Sequence, residues 1–175
     1  MKDKTNILSV LKTKSDANVF VDVLKSVSDD THSLREINLE KIISDKIKLY
    51  DSTLGWEKYV SSLLESIISS GDMKKIRKEL NSLEDNIRNA EIIRVEIPFK
   101  PTDKFVDDIY GILNRPEFLN TFEDNLLNNF LIDFEINKSL RGGIKIFVAG
   151  KYINLTYRSY LGKYLMSKDV IRRYL

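Results

Sequence analysis

With 175 residues, the chain has room for one domain of ordinary size or two small ones. Its composition, 42% apolar and 31% charged, is typical of soluble globular proteins and excludes general disorder. Cysteine is absent, so disulfides, thiolate catalysis and cysteine-based zinc sites are excluded. No apolar run approaches the roughly 18 residues of a membrane span, and no signal peptide follows the charged N-terminus. These features predict a cytosolic protein, or one peripheral to a cytosolic membrane face.

The charge is distributed unevenly along the chain. The net charge is +2, but residues 138–175 contain nine lysines and arginines against one acid, which gives +8 there and leaves −6 for residues 1–137. This asymmetry predicts that the C-terminal part meets an acidic partner helix, a phospholipid surface or nucleic acid. A solvated basic face would explain it equally well.

Residues 1–90 contain no proline and have the apolar spacing of helices throughout. A short helix is predicted at 7–11. Ser15 or Asp16 is the predicted N-cap of a second helix, whose apolar face runs from Val19 to Val27. The polar run 28–33, which contains the only histidine, His32, is predicted to be a loop. Further helices are predicted over 34–47, 54–68 and 72–89, of which 54–68 has the clearest amphipathic pattern.

At Ala90 the apolar period changes from that of a helix to that of a strand. Ile93, Val95 and Ile97 alternate with polar residues up to Pro98, and Thr102 is the predicted N-cap of a following helix. A second helix is predicted after Pro116. The sequence therefore predicts an α+β fold, with an N-terminal all-helical bundle (1–90) and a small C-terminal domain (91–175) of helices with a mixed β-sheet.

The stretch 130–161 combines strand, turn and helix signals. Alternating apolar residues predict strands at 130–136 and 144–148, and Gly142-Gly143 between them indicates positive φ or a close backbone approach. Ala149-Gly150-Lys151 is typical of a tight turn into a third strand near 152–155. Thr156 is the predicted N-cap of a closing helix, whose apolar face is formed by Tyr157, Tyr160, Leu161 and Tyr164.

This stretch resembles the C-terminal signature of the F-type ATP synthase delta subunit, the family called oligomycin-sensitivity-conferring protein in mitochondria. The signature positions are Ser139, Leu140, Gly142, Gly143, Ile144, Ile146, Gly150, Ile153, Asn154, Arg158 and Leu161. Asn154 stands where the family has an acid, and Phe147 where it usually has a polar residue. With the strand at 92–97 and Lys100-Pro101-Thr102, the resemblance covers about residues 91–161.

The resemblance implies a non-catalytic stator subunit in the peripheral stalk of a proton-translocating ATP synthase. Its N-terminal helices would bind alpha subunits of the F1 head, and its C-terminal domain would bind the C-terminal helices of the b subunits. The protein would be peripheral on the cytoplasmic face of the cell membrane, reaching the membrane only through the complex. No nucleic acid and no cofactor are implied.

The residues themselves give little support to catalysis. His32 is the only histidine, and Asp107 and Asp108 would diverge by about 100° on a helix. Gly142-Gly143 lacks the phosphate-loop pattern and precedes a strand, so it offers no helix N-terminus to an anion. We therefore predict no catalytic, cofactor-binding or metal-binding residues.

Two alternatives remain open. The E subunit of V/A-type ATPase stalks has a similar Gly-Gly, strand and strand-helix unit, although it normally begins with one long coiled-coil helix. The second is a small basic nucleic-acid-binding protein, because basic residues in the C-terminal part alternate with tyrosines that could stack on bases. These tyrosines are Tyr152, Tyr157, Tyr160, Tyr164 and Tyr174.

Overall fold

The computed structural model of the chain describes residues 7–32, 39–50, 56–119 and 129–156. Helices come first: α1 (Ile7–Leu11), α2 (Lys14–His32), α3 (Leu39–Tyr50), α4 (Glu57–Ile68) and α5 (Met73–Arg88). The remaining elements are β1 (Glu91–Ile97), α6 (Asp103–Leu113), α7 (Pro116–Leu119), β2 (Phe130–Ile136), β3 (Gly143–Val148) and β4 (Lys151–Thr156). The predicted α+β class, with helices in the N-terminal half and a mixed sheet towards the C-terminus, is confirmed.

Helix α2 lies at the centre of the helical half, where it packs on α1, α3 and α5. Its apolar stripe is buried as the 3.6-residue period predicts, and Phe20 at its middle is fully buried. The Phe20 ring meets the Trp56 ring edge-to-face at 6.3 Å between centroids. The amphipathic patterns of α4 and α5 are confirmed too, since Val60, Leu64, Ile76 and Leu80 join the same buried cluster.

Both predicted ends of α2 are wrong. The helix begins at Lys14, and Thr13 is its cap: the Thr13 hydroxyl oxygen accepts the Asp16 N–H at 3.1 Å and donates its own proton to the Asp16 carboxylate at 2.6 Å. The polar run 28–33 is helical as far as His32. It contains no glycine or proline, so backbone hydrogen bonding continues beyond Val27, the last buried residue of the stripe.

The sheet has the strand order β2-β1-β3-β4. Strand β1 runs parallel to β2, with Ile93 opposite Ile132, and antiparallel to β3, with Val95 opposite Ile146. Helix α6 forms the crossover from β1 to β2 and covers one face of the sheet, where Ile109 and Leu113 pack in one cluster with the buried residues of β1. Its predicted N-cap is confirmed, because Thr102 Oγ1 accepts the Phe105 N–H at 3.3 Å.

The two glycine signals have different structural causes. Ala149 (φ +45°) and Gly150 (φ +75°) form the two-residue turn of the β3–β4 hairpin, as a type I′ geometry requires. Gly143 (φ +81°) begins β3 against the backbone of β4, and a Cβ there would lie 2.3 Å from the Leu155 carbonyl oxygen. The predicted Gly-Gly corner lies in the connection from β2 to β3. These two strands are not neighbours, because β1 lies between them in the sheet.

The helical half and the sheet meet at strand β2. Thr13 forms a parallel bridge with Ile132, whose N–H donates to the Lys12 carbonyl oxygen at 2.9 Å. Leu131, on the opposite face of β2 from Ile132, is buried in the helical cluster with only 2% of its surface exposed. The proposed division into domains at residue 90 therefore stays a prediction, since one strand packs in both halves.

Some predictions fall on residues that the structure does not describe. The closing helix from Tyr157 onward lies outside the described ranges, and so does most of the helix predicted after Pro116, of which α7 is the described turn. Among the helices that are described, none combines the length and apolar character needed to cross a membrane.

Candidate docking surface on the open face of the sheet

The sheet turns one face towards α6. Within the described ranges, the helices that pack on the other face, α1 and α2, contact it at β2. Because side chains alternate along a strand and register partners share a face, the residues of the uncovered side follow from the pairing. We call this surface the open face; its residues are Ile92, Arg94, Glu96, Asp133, Glu135, Lys145, Phe147, Tyr152 and Asn154.

A row of stacked side chains crosses the open face. Tyr152 on β4, Phe147 on β3 and Arg94 on β1 are successive register partners. The Tyr152 and Phe147 rings stack at 6.0 Å with 25° between their planes, and the Arg94 guanidinium carbon lies 4.1 Å from the centroid of the Phe147 ring. Asp133, the partner of Arg94 on β2, binds Lys14 Nζ at 2.7 Å, so the row ends on helix α2.

A second, ionic row lies beside the first. Glu96 is 9% exposed, and its carboxylate accepts a hydrogen bond from the Asn137 side-chain amide at 3.0 Å and lies 3.8 Å from Lys145 Nζ. Arg94 reaches Glu96 at 3.9 Å and Glu135 at 3.6 Å. A buried carboxylate is tolerated when partners of this kind surround it. The two carboxylates also fix the Arg94 guanidinium above the Phe147 ring.

The side chains of the open face are held in place by contacts with one another. Tyr152 is 64% exposed and Ile92 is 41% exposed, while Phe147 and Arg94 are held by their neighbours. Exposed tyrosine and arginine side chains contribute most to many protein interfaces, and a preorganised surface loses less entropy when it binds. The arrangement offers aromatic stacking, a cation and hydrogen bonds to a docked partner.

The signature residues lie mostly in the scaffold behind this surface. Leu140 and Ile146 are buried, Gly143 contacts β4, and Gly150 is in the hairpin turn. Ser139 follows β2, Ile144 and Ile153 are half-buried on the α6 side, and Asn154 accepts hydrogen bonds from the Thr156 backbone N–H and hydroxyl. Arg158 and Leu161 lie outside the described residues.

Sequence reasoning did not find the row of Arg94, Phe147 and Tyr152. These residues are up to 58 positions apart, and only the strand pairing brings them together. A local signal existed at Phe147, an aromatic residue at the outward position of a half-buried strand. Asn137 was also missed: it binds Glu96, and its side-chain carbonyl accepts the Ser139 N–H at 3.1 Å and hydroxyl at 2.6 Å.

The chain matches no model of a known protein family and no curated protein. Within the described ranges, no three acidic or histidine side chains converge so as to hold a metal ion.

Proposed function

We propose that the protein is a non-catalytic stator subunit in the peripheral stalk of an F-type ATP synthase or ATPase. It would link alpha subunits of the F1 head to the b-subunit stalk, on the cytoplasmic face of the cell membrane. The observation that best supports this is the unit at 91–156. It has the order of elements that the resemblance implies, namely strand, turn, helix, strand, Gly-Gly and a hairpin.

A stator subunit has to carry force between two partners, so its two halves should not move independently. The contacts across β2 support such a connection. Thr13 pairs with Ile132 and Leu131 packs among the helices. Lys12 Nζ also binds Asp107 on α6 at 2.6 Å, and Lys14 binds Asp133. Halves joined only by a linker would move relative to each other by default.

The charge of the sheet half suits an acidic stalk helix. Residues 138–156 contain four basic residues and no acid. This range forms the β3–β4 hairpin and the turn before it, and the Tyr152 and Phe147 rings belong to the hairpin. Aromatic anchors and basic residues at the β3–β4 side of the open face favour an acidic amphipathic partner there, which would approach faster at low salt, whereas Glu96, Asp133 and Glu135 lie at the β1–β2 side. We place the stalk contact on the open face and the F1 contact on the helical half.

Tyr152→Ala is expected to weaken binding of a soluble b-subunit fragment about tenfold or more, since an exposed aromatic anchor contributes roughly 2 kcal/mol to binding. The affinity for F1 should be unchanged. The free energy of unfolding should change by less than about 0.5 kcal/mol, because the Tyr152 side chain is largely exposed. Isothermal titration calorimetry with F1 and b fragment from the same organism measures both affinities.

Leu155→Ala is the matched control. Leu155 lies on the same strand, is 57% exposed and points to the α6 side of the sheet. It should leave the affinity for the b fragment within about twofold. Equal losses in the two variants would place the contact elsewhere, and binding of the unaltered protein to neither F1 nor the b fragment would refute the stator proposal.

A second candidate, single-stranded nucleic-acid binding, is favoured by the same stacked row, because aromatic and arginine planes accept bases. The open face also holds three carboxylates, of which Glu96 and Glu135 lie next to Arg94 and oppose a phosphate backbone. If this candidate is correct, oligonucleotide binding will fall steeply with salt and be lost in Tyr152→Ala. Absence of binding at low salt would exclude it.

A further inference from the structure

Helix α5 has its basic residues concentrated at one end. Lys74, Lys75, Arg77 and Lys78 fall within the first six of its sixteen residues, and all four are exposed. The buried stripe of Ile76, Leu80 and Ile87 packs on the other helices. At 100° per residue, Lys74, Lys75 and Lys78 project from the side of the helix away from that stripe, whereas Arg77 lies at its flank. We call Lys74, Lys75 and Lys78 the basic patch.

The basic patch lies at the electrostatically unfavourable end of the helix. Cations near a helix N-terminus oppose the helix dipole, whereas α6 begins in the favourable way with Asp103. Asp72 precedes the patch, and its carboxylate caps the N–H groups of Lys74 and Lys75. In the part of the chain that the structure describes, the side chains of Lys74, Lys75 and Lys78 form no ion pair.

The distribution of charge on α5 selects the kind of partner. The axial distance from Lys74 to Lys78 is about 6 Å at 1.5 Å per residue. Three acidic residues surround the patch. Asp72 precedes it, Asp85 follows it along the helix, and Glu79 lies at its side. A nucleic-acid backbone or an anionic membrane would extend over these acids and be repelled by them. A short acidic protein segment can place its carboxylates on the lysines alone.

We infer that the basic patch of α5 is a docking surface for a short acidic segment of a partner protein. The positive charges of Lys74, Lys75 and Lys78, all exposed on one part of the helix surface, provide the complementarity. This inference depends on α5 alone and goes beyond the stator proposal, because it concerns a surface on the helical half that needs neither the signature residues nor the open face.

The test uses the full chain, labelled with ¹⁵N, and a hexaglutamate peptide as probe. Backbone amide NMR shifts locate the binding, which matters because the basic segment after residue 138 will attract the same peptide. We expect saturable shifts at residues 73–81 and an apparent Kd at those residues that rises steeply with salt. In Lys74→Gln/Lys75→Gln/Lys78→Gln, this Kd should be at least tenfold weaker.

The matched control is Lys58→Gln/Lys104→Gln/Lys138→Gln, which removes the same charge from three exposed lysines outside the patch. Its Kd at residues 73–81 should stay within twofold of the original, and the remaining amide shifts show that both variants are folded. The inference is overturned if residues 73–81 do not respond, or if the two variants weaken binding equally. It is also overturned if these amides respond more strongly to oligo-dT or to phosphatidylcholine vesicles containing 30% phosphatidylserine.

Discussion

Gly143→Ala is expected to destabilise the protein by about 2–4 kcal/mol, combining a left-handed backbone penalty with overpacking. Gly143 has φ +81°, which L-residues rarely adopt, and its missing side chain is where β4 passes. A Cβ would lie 2.3 Å from the Leu155 carbonyl oxygen and 2.5 Å from the Thr156 Cα. Both are backbone atoms of a paired strand, so neither can move without breaking the β3–β4 ladder.

Gly150→Ala is the control for the backbone penalty alone. Gly150 has φ +75°, close to that of Gly143, but no atom lies within 4 Å of its Cβ position. We expect the free energy of unfolding to fall by only about 1 kcal/mol in this variant. Urea denaturation followed by circular dichroism measures the free energy of unfolding of both variants. Equal losses at the two glycines would show that the contact with β4 contributes nothing.

Leu131→Ala is expected to lower the free energy of unfolding by about 2–5 kcal/mol, the range for a buried leucine replaced by alanine. Leu131 is a residue of strand β2, but its side chain packs in the helical cluster. Trp56, the only tryptophan, is buried in that cluster next to Phe20. Its fluorescence therefore reports the helices, and the urea midpoint seen by Trp56 should fall although the substitution is in β2.

Ile136→Ala is the matched control, since it truncates another apolar residue of β2 that is 50% exposed. This substitution should lower the free energy of unfolding by less than about 1 kcal/mol and should not measurably change the unfolding transition reported by Trp56. If Leu131→Ala left the Trp56 transition in place while the sheet unfolded earlier, the two halves would be energetically independent. That result would also remove the rigid connection on which the stator proposal depends.

The contacts between the two halves are linked to the open face through one ion pair. Lys14 at the start of α2 binds Asp133, and Asp133 is the register partner of Arg94 in the stacked row. Surface ion pairs of this kind contribute up to about 1 kcal/mol each, so the pair positions the row more than it stabilises the fold. A partner docked on Tyr152 is thereby linked across four strands to the helical half.

Several elements were predictable because their causes lie within a few residues of chain. The period of α4 and α5, the strand at β1, the Thr102 cap and the Ala149-Gly150 turn all depend on interactions between near neighbours. The same local reasoning failed at residues 28–33. There the polar composition indicated a loop, although nothing in those residues stops a helix that has already begun.

The sequence by itself determined the class of the fold, the change from helices to strands at residue 90 and the conformational demand at Gly143. Only the tertiary structure placed β1 between β2 and β3, buried Leu131 among the helices and assembled Arg94, Phe147 and Tyr152 into one row. The physical reason is the range of the interactions. Periodicity and turn chemistry act over about four residues, whereas strand order and cross-strand stacking join residues that are tens of positions apart.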